Sequence, residues 1–281
     1  DEVLVPAYTF PSTANVVAHV GATPVLVDVD PRTMNLDPER ARAAVTPRTR
    51  AVIAVHLFGR PLDWEALPDE VALVEDAAGA LGARRRGRRC GGLGRLGCLS
   101  FHPRKIVTTG EGGAVTTDDA ELAVAIRRMR HHGIEPRGDF EIAQPGFNYR
   151  LSDILCAVGI SQLARLDELL EARTRIAAGY TERLRTIVET PVADAGDVHG
   201  WQAYVVQVDG AAEVIAGLRE RGIEAQVGTY ALQRLAAYSD QGEFPGASRV
   251  FQRAIALPLH TRLTESDLDR VTEGLTSLVS K

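Results

Sequence analysis

Short apolar runs alternate with stretches of helical periodicity through the first half of the chain, and this alternation restricts its fold more than any other feature. The runs are rich in Val, Leu and Ala, like strands that are buried on both faces of a sheet. They cover residues 3–6, 24–28, 51–57, 71–75, 96–101 and 113–117. Helical segments between them, such as residues 36–45, provide the crossovers that parallel strands need. The pattern predicts an α/β fold with a mostly parallel sheet flanked by helices.

The second half of the chain combines long helices with a small α/β unit. Its predicted elements are a helix to about residue 132 capped by Asp118 or Asp119, two helices within 152–188, a strand over 202–208, a helix over 211–221, a short strand over 224–227 and an amphipathic helix from about residue 264. We therefore predict a large domain over residues 1–165. Residues 166–281 are expected to form a linking helix and a smaller C-terminal α/β domain.

Lysine is almost absent from the sequence. It occurs at Lys105 and Lys281, whereas arginine supplies the remaining 30 of the 32 basic residues. Arginine cannot deprotonate near neutral pH, so chemistry that needs a neutral amine must retain lysine. Lys105 follows the strand predicted over 96–101, in a loop bounded by proline and glycine, and such loops are where open α/β sheets bind ligands. A solvated surface lysine is the ordinary interpretation, and the scarcity of lysine weakens it here.

Asp76 lies at the end of the apolar strand predicted over 71–75. A buried carboxylate needs a partner, because an unpaired buried charge is costly. A protonated ring nitrogen of a cofactor would be one such partner. The alternative is a helix N-cap, in which Asp76 would begin a helical turn through residues 77–81. The local sequence favours neither interpretation.

An arginine-rich run over residues 84–89 also has two interpretations. We favour an exposed hairpin in an arginine-rich protein. The alternative is an electropositive rim that attracts a phosphorylated or nucleotide-linked substrate.

The bulk composition excludes several classes of function. The formal net charge of -5 argues against nucleic-acid or anionic-membrane partners, and no apolar run approaches the ~18–20 residues of a membrane span. Cys90, Cys98 and Cys156 lack metal-ligand spacing, so we expect no metal site and interpret them as reduced packing residues of a cytoplasmic protein. The start of the chain does not resemble a signal peptide.

Several short motifs, in order along the chain, resemble one known family. They are Pro6-Ala7-Tyr8-Thr9-Phe10, Thr13-Ala14-Asn15, Gly21-Ala22-Thr23-Pro24 leading to Asp28, Val55-His56-Leu57-Phe58-Gly59, Glu75-Asp76-Ala77-Ala78, the segments 100–105 and 110–113, Gly146-Phe147-Asn148-Tyr149-Arg150, Gln162-Leu163 and Leu257-Pro258-Leu259. Their order and spacing resemble the DegT/DnrJ/EryC1/StrS sugar aminotransferases, which depend on pyridoxal 5'-phosphate (PLP) and have fold type I. The resemblance extends over nearly the whole chain.

The resemblance implies roles for individual residues. Lys105 would form the Schiff base with PLP and then move the proton during transfer. Asp76 would pair with the pyridinium nitrogen, Phe10 would stack on the cofactor ring, and Ser100 would bind the cofactor phosphate.

The resemblance also implies a homodimer with shared active sites. Asn148 would reach across the interface to the phosphate of the partner's cofactor, and Arg150 would bind the carboxylate of the amino donor. Tyr230 would contact the substrate. The implied reaction moves an amino group from glutamate or glutamine to a keto sugar, which in this family is most often nucleotide-linked. A keto-cyclitol acceptor is a close variant.

The sequence departs from the family pattern at three places. Gly79 stands where the family usually has glutamine, near the ring hydroxyl. The segment Thr229-Tyr230-Ala231-Leu232-Gln233 replaces the usual Tyr-x-Pro-x-His. The sequence also begins at a strand that in the family follows a segment of several dozen residues, and that segment carries a Gly-Thr loop that binds the cofactor phosphate.

Two other functions remain as alternatives. A PLP-dependent sugar dehydratase is disfavoured by Lys105, because dehydratase relatives carry histidine at that position. A truncated, non-catalytic binding or regulatory homologue is disfavoured by the presence of both Lys105 and Asp76.

Overall fold

The computed structural model describes residues 1–135, 141–142 and 144–279. The strands in these ranges are β1 Glu2–Pro6, β2 Tyr8–Thr9, β3 Thr23–Val27, β4 Thr49–Val55, β5 Ala72–Asp76, β6 Arg84–Arg85, β7 Arg88–Arg89, β8 Leu96–Ser100, β9 Gly113–Thr116, β10 Tyr204–Gln207, β11 Gln226–Val227, β12 Tyr230–Ala231 and β13 Ala254–Leu257. The α-helices are α1 Ser12–His19, α2 Pro38–Ala43, α3 Ala120–Arg130, α4 Asp153–Leu163, α5 Leu166–Leu184, α6 Ala211–Glu220, α7 Pro245–Arg253 and α8 Glu265–Val279.

A six-stranded sheet in the order β3-β1-β4-β5-β8-β9 organises the first part of the chain. Neighbouring strands from β3 to β8 are parallel, and β9 at the edge is antiparallel to β8. Leu4 on β1 and Val52 and Ala54 on β4 are fully buried, as expected for apolar strands covered on both faces. The predicted α/β fold with a mostly parallel sheet is therefore confirmed.

The parallel arrangement brings the ends of neighbouring strands to one edge of the sheet. β5 ends at Asp76 and β8 ends at Ser100, and Asp76 is paired in register with Cys98. The loop that contains Lys105 begins directly after β8. Ligands of open α/β sheets bind at this edge, so the fold places the predicted chemistry where a site can form.

A second sheet, in the order β10-β13-β11, is antiparallel and packs against α5, α6 and α8. Tyr180, Tyr204, Leu218 and Leu275 are fully buried in this cluster. Burial of each such large side chain contributes about 2–3 kcal/mol to stability. The predicted strands and helices of this region are present, and α7 and β13 are additional elements that the sequence did not predict.

A two-stranded ladder connects the two regions. β2 pairs antiparallel with β12, so that Thr9 faces Tyr230 and Tyr8 faces Ala231. The hydroxyl of the buried Tyr8 also accepts a hydrogen bond from the amide of Thr229 at 3.1 Å. The segment that replaces Tyr-x-Pro-x-His is thereby fixed beside the edge of the large sheet.

The arginine-rich run forms the predicted hairpin, β6 and β7, with Arg86 and Gly87 at positive φ in its turn. Arg85 nevertheless points inward and is buried, where it forms ion pairs with the aspartates Asp63, Asp194 and Asp197. Arg86 and Arg88 are exposed, so the run is only partly available to a ligand. The electropositive rim stays a prediction.

Asp119 caps α3, since its side chain accepts hydrogen bonds from the amides of Glu121 and Leu122. This selects Asp119 over Asp118 as the predicted N-cap. Among the described residues, no helix has the length and apolar character that crossing a membrane would require.

Candidate active site

Asp76 is held in one orientation at the end of β5. One of its carboxylate oxygens, Oδ2, accepts a hydrogen bond from Oγ1 of Thr13 at 2.8 Å, and Oδ1 accepts one from the amide of Ala78 at 3.2 Å. Residues 77–82 contain turns and no helix, and the bond from the Ala78 amide caps the first of these turns. The capping interpretation therefore holds for a turn but not for a helix, and it leaves Oδ2 of Asp76 to Thr13. Its carboxylate lies at the edge of the sheet, with a fixed direction, as a partner for a cationic ligand group.

Thr13 is a site residue whose role the sequence did not predict. It lies in the first turn of α1, is 3% exposed, and belongs to the quoted motif Thr13-Ala14-Asn15. Phe10 stands three residues before it, directly after β2. The hydrogen bond from Thr13 to Asp76 therefore joins the start of α1 to the end of β5.

A fully buried pair lies behind Asp76. Alternate residues of a strand point to opposite faces, so Glu75 points away from Asp76, into the interior. Its carboxylate lies 2.9 Å from Nε2 of His56 and accepts hydrogen bonds from the amides of Gly91, Leu93 and Gly94 at 2.6–2.7 Å. The amide of Leu62 donates to Nδ1 of His56, so the hydrogen that faces Glu75 is on Nε2. These bonds explain why Glu75 and His56 occur in the motifs: they fix the strand that carries Asp76.

Lys105 lies in a partly buried loop after β8, and its backbone amide donates to the carbonyl of His102 at 2.9 Å. Burial lowers the pKa of the Lys105 amine below its usual value, the positive charge of Arg104 lowers it further, and the nearby Asp76 carboxylate opposes both effects. A lowered pKa increases the fraction of neutral amine near pH 7, which is the form that attacks a carbonyl. Lys105 and Asp76 are thus close enough to influence each other electrostatically, and burial favours the neutral form of the amine.

Phe10 and Tyr230 form an aromatic pair at the same edge. Their ring centroids are 5.9 Å apart with an interplanar angle of 73°, an edge-to-face contact. Phe10 is 60% exposed and Tyr230 is 45% exposed, so both rings retain free surface for a ligand. The pairing of β2 with β12 accounts for their proximity, although they are distant in sequence.

The remaining predicted residues are Ser100, Asn148 and Arg150. Oγ of Ser100 accepts a hydrogen bond from the amide of His102 at 3.3 Å, at the start of the Lys105 loop. Asn148 and Arg150 are exposed and contact each other, with Nε of Arg150 3.4 Å from Oδ1 of Asn148. No hydrogen bond among the described residues joins Asn148 or Arg150 to Asp76 or Lys105.

The three cysteines are free thiols. Burial raises the pKa of Cys98, and the carboxylates of Asp76 and Glu75 raise it further. The raised pKa favours the protonated, weakly nucleophilic form of the Cys98 thiol. Cys98 is exposed, however, so its interpretation as a packing residue is wrong, whereas Cys90 is buried as expected.

Comparisons with known proteins agree with the geometry. The model of the DegT/DnrJ/EryC1/StrS aminotransferase family matches residues 1–276. The chain is 38% identical over 290 residues to GDP-perosamine synthase of Caulobacter vibrioides, covering 98% of this chain and 78% of that protein. It is 34% identical over 286 residues to UDP-2-acetamido-2-deoxy-3-oxo-D-glucuronate aminotransferase of Pseudomonas aeruginosa, covering 99% and 79%. The crystal structure of the aminotransferase TlmJ from Streptoalloteichus hindustanus matches with a TM-score of 0.95 and 33% identity, covering 100% and 79%.

The fold and the site together define a PLP-dependent aminotransferase of fold type I. The chain belongs to the DegT/DnrJ/EryC1/StrS aminotransferase family, whose close homologues are sugar aminotransferases.

The residues at the sheet edge fit PLP. The site offers an amine of lowered pKa, an oriented carboxylate for a cationic ring nitrogen, an exposed aromatic ring and a hydroxyl, on Lys105, Asp76, Phe10 and Ser100 respectively. When bound, the cofactor supplies an electron sink that stabilises a carbanion next to the transferred nitrogen. Asp76 would keep the ring nitrogen charged by pairing with it. Thr13 and Ala78 already orient the carboxylate for this pairing.

The Thr13→Val variant tests the orientation of Asp76. Valine keeps the shape of threonine but cannot donate to Oδ2 of Asp76, and a hydrogen bond to a charged group contributes about 1.5–3 kcal/mol. We expect the affinity for PLP to fall about 10-fold to 10²-fold, as measured by fluorescence titration of the protein without cofactor. Thr33→Val is a control away from the sheet edge, since Thr33 Oγ1 accepts only from the nearby amide of Asn35. Equal affinities of Thr13→Val and the unaltered protein would contradict the role of Thr13.

Proposed function

We propose that this chain transfers an amino group from glutamate or glutamine to a keto group on a nucleotide-linked sugar. The observation that carries the proposal is the amine of Lys105, with its lowered pKa, beside the oriented carboxylate of Asp76. The aminotransferase family membership supports the reaction type, and the names of two relatives, a GDP-perosamine synthase and an aminotransferase of a UDP-linked oxo sugar acid, support the substrate class.

In this proposal each site residue of one chain has its own role in the reaction. Lys105 binds the cofactor covalently and carries the proton between substrate and cofactor carbons. Asp76 pairs with the ring nitrogen, the ring of Phe10 covers one face of the cofactor and excludes water, and Ser100 binds the phosphate. Tyr230 extends the aromatic surface toward the sugar acceptor, because it lies edge-to-face with Phe10 and keeps part of its ring exposed.

Asn148 and Arg150 act, in this proposal, in the site of a partner subunit. Within the described part of one chain they bond to each other and not to Lys105 or Asp76, which supports such a role. An exposed apolar surface lies close by in sequence, on α4 and the segment before it. Its members are Phe147 (53% exposed), Tyr149 (72%), Ile154 (79%), Val158 (44%), Ile160 (69%) and Leu163 (43%). Exposed apolar side chains in this number, on one helix and the segment before it, favour a protein interface, and a second copy of the chain is the partner that we propose.

The Ile160→Asp variant tests the homodimer. A carboxylate on the proposed interface would remain unpaired on association, so we expect a shift from dimer to monomer in light scattering after size exclusion. Activity should fall with dimer content, because Asn148 and Arg150 would no longer reach the partner's site. Ile187→Asp, at an isoleucine that is 37% exposed elsewhere, should leave the oligomeric state unchanged. If the unaltered protein were monomeric at micromolar concentration and fully active, this result would contradict the shared site.

The reaction is tested with purified protein, PLP, glutamate or glutamine, and a panel of GDP- and UDP-linked keto sugars. The expected result is loss of the yellow cofactor absorbance on addition of the donor, its return on addition of the sugar, and a sugar product that has gained an amine. A product that has instead lost water would identify a dehydratase. Failure of the folded protein to retain PLP at micromolar concentration would favour the non-catalytic alternative.

A further inference from the structure

Gln202 contacts the loops that follow three parallel strands, β4, β5 and β8. Its backbone is held against the first of them. Gly59 has φ 94, and a Cβ at Gly59 would lie 3.0 Å from the amide nitrogen of Gln202 and 2.8 Å from that of Trp201. The carbonyl of Trp201 also accepts a hydrogen bond from Nη1 of Arg173 at 2.8 Å. The backbone at Gln202 is therefore held in place independently of the contacts that its side chain makes.

The side chain of Gln202 passes over the second loop at Gly79. A Cβ at Gly79 would lie 3.3 Å from Cγ of Gln202 and 3.6 Å from its Cβ, so a larger residue at 79 would have to displace the glutamine. Gly79 has no positive φ that would itself require glycine. The absence of a side chain at position 79 is thus explained by the path of Gln202.

The amide group of Gln202 ends on the third loop, next to Lys105. Its Nε2 donates to the carbonyl of Arg104 at 2.8 Å, whereas its Oε1 is buried without a hydrogen-bond partner among the described residues. A half-satisfied buried amide is less favourable than one whose donor and acceptor are both paired. An apolar side chain would avoid this loss, so the bond to Arg104 is the feature that distinguishes glutamine here.

A second contact holds the same residue. Nη2 of Arg104 donates to Oε1 of Gln226 on β11 at 3.0 Å. The backbone and the side chain of Arg104 are therefore both fixed by residues from the later part of the chain. Because Lys105 follows directly, these contacts restrict where its amine can lie relative to Asp76.

We propose that Gln202 is a positioning residue that holds the Lys105 loop, and that position 79 is glycine so that Gln202 can reach this loop. The inference rests on the proposed function of Lys105. Asp76 and Arg104 are the charged groups that act on the lysine amine, with opposite effects, so a displaced loop changes both. A small misplacement of a reacting group can reduce a rate about 10²-fold.

The test uses Gln202→Ala, Gly79→Ala and the double variant. The matched control is Gln207→Ala, because Gln207 also donates through Nε2 to a backbone carbonyl, that of Pro31 at 2.9 Å, and also has a buried Oε1 without a partner. Two quantities are measured: kcat and KM for the amino donor, and the pH dependence of acylation of Lys105 in protein without cofactor, read by peptide mass spectrometry against free N-acetyl-lysine amide.

We expect Gln202→Ala to lower kcat about 10-fold to 10²-fold with little change in KM. The midpoint of Lys105 acylation should move to higher pH, because a displaced loop exposes the amine, and burial is the main cause of its lowered pKa. Gly79→Ala should change kcat and the acylation midpoint in the same direction. The double variant should have the same kcat as Gln202→Ala, since both changes disrupt the same contact between Gln202 and Arg104. Gln207→Ala should leave both readouts unchanged. Wild-type kcat and acylation in Gln202→Ala, or additive losses in the double variant, would overturn the proposal. An unaltered protein without transaminase activity would overturn the proposed function instead, while the acylation curves would still report on the loop.

Discussion

Replacing Lys105 with alanine is expected to abolish transamination while leaving the fold intact. Lys105 is partly buried in a loop, and its side chain forms no ion pair among the described residues, so the loss of its amine removes chemistry and not a structural contact. A positioned general base contributes about 10²-fold to 10⁴-fold, and the covalent link to the cofactor is lost as well. We therefore expect a decrease of at least about 10²-fold in the rate of the half-reaction with glutamate, followed by the cofactor absorbance.

Lys105→Arg is the matched variant for this experiment. Arginine keeps the positive charge and much of the length of lysine, but its guanidinium does not deprotonate and cannot attack the cofactor. It should be as inactive as Lys105→Ala. Circular dichroism would verify that both variants are folded. A transaminating Lys105→Ala protein would remove the lysine from the mechanism, and a transaminating Lys105→Arg protein would show that charge and not nucleophilicity is what the site requires.

Replacing Glu75 with alanine is expected to cause the largest loss of stability. Glu75 is fully buried, accepts three backbone amides, and pairs with His56, whose Nδ1 is itself engaged by Leu62. Removing one partner of a buried hydrogen-bonded pair leaves the other donors unsatisfied, which lowers the free energy of unfolding by about 3–5 kcal/mol. Urea denaturation, followed by circular dichroism, measures this change.

Glu65→Ala provides the contrast. Glu65 pairs with Arg86 at the surface, where the two side chains are 39% and 63% exposed, and surface ion pairs contribute about 0–1 kcal/mol. Its effect on unfolding should therefore be small. Equal stabilities of Glu75→Ala and Glu65→Ala would contradict the structural role of the Glu75 network.

The same network predicts a pH dependence. Burial alone would raise the pKa of Glu75, but the hydrogen bonds from His56 and from the amides of Gly94 and Gly91 lower it below its usual value. A carboxyl whose folded pKa is lowered contributes stability above its unfolded pKa of about 4.3 and loses that contribution as the pH falls through the folded value. The free energy of unfolding of the wild type should therefore decline below about pH 4, and part of this decline should be absent in Glu75→Ala.

Much of the large sheet could be predicted from sequence because its strands are continuous apolar runs. The run at 24–28 corresponds to β3 Thr23–Val27, and the run at 51–57 corresponds to β4 Thr49–Val55. α1 was not predicted, because it has eight residues, no side-chain N-cap and two adjacent valines, and it forms through burial of Thr13, Ala14 and Val17. The division into domains at residue 165 stays a prediction.

Within the site, the predictable residues were those with a local signal. Lys105 stood out by the scarcity of lysine, and Asp76 by its place at the end of an apolar strand. Thr13 lies in a quoted motif that assigns it no role, and Gln202 has no local signal. Their partners, Asp76 and Arg104, are 63 and 98 residues away in sequence. These pairs come into contact only in the folded chain, at the sheet edge where β5 and β8 end.

The identity of the residue that binds the cofactor is the central claim, and peptide mapping after borohydride reduction tests it directly. Reduction fixes the cofactor on whichever amine holds it, and few amines compete, since the sequence has two lysines. Trypsin cleaves after Arg104, and a modified lysine is not cleaved, so the phosphopyridoxyl group should appear on the peptide of residues 105–127. The same group on Lys281 or on the amino terminus, with peptide 105–127 unmodified, would contradict the assignment of Lys105.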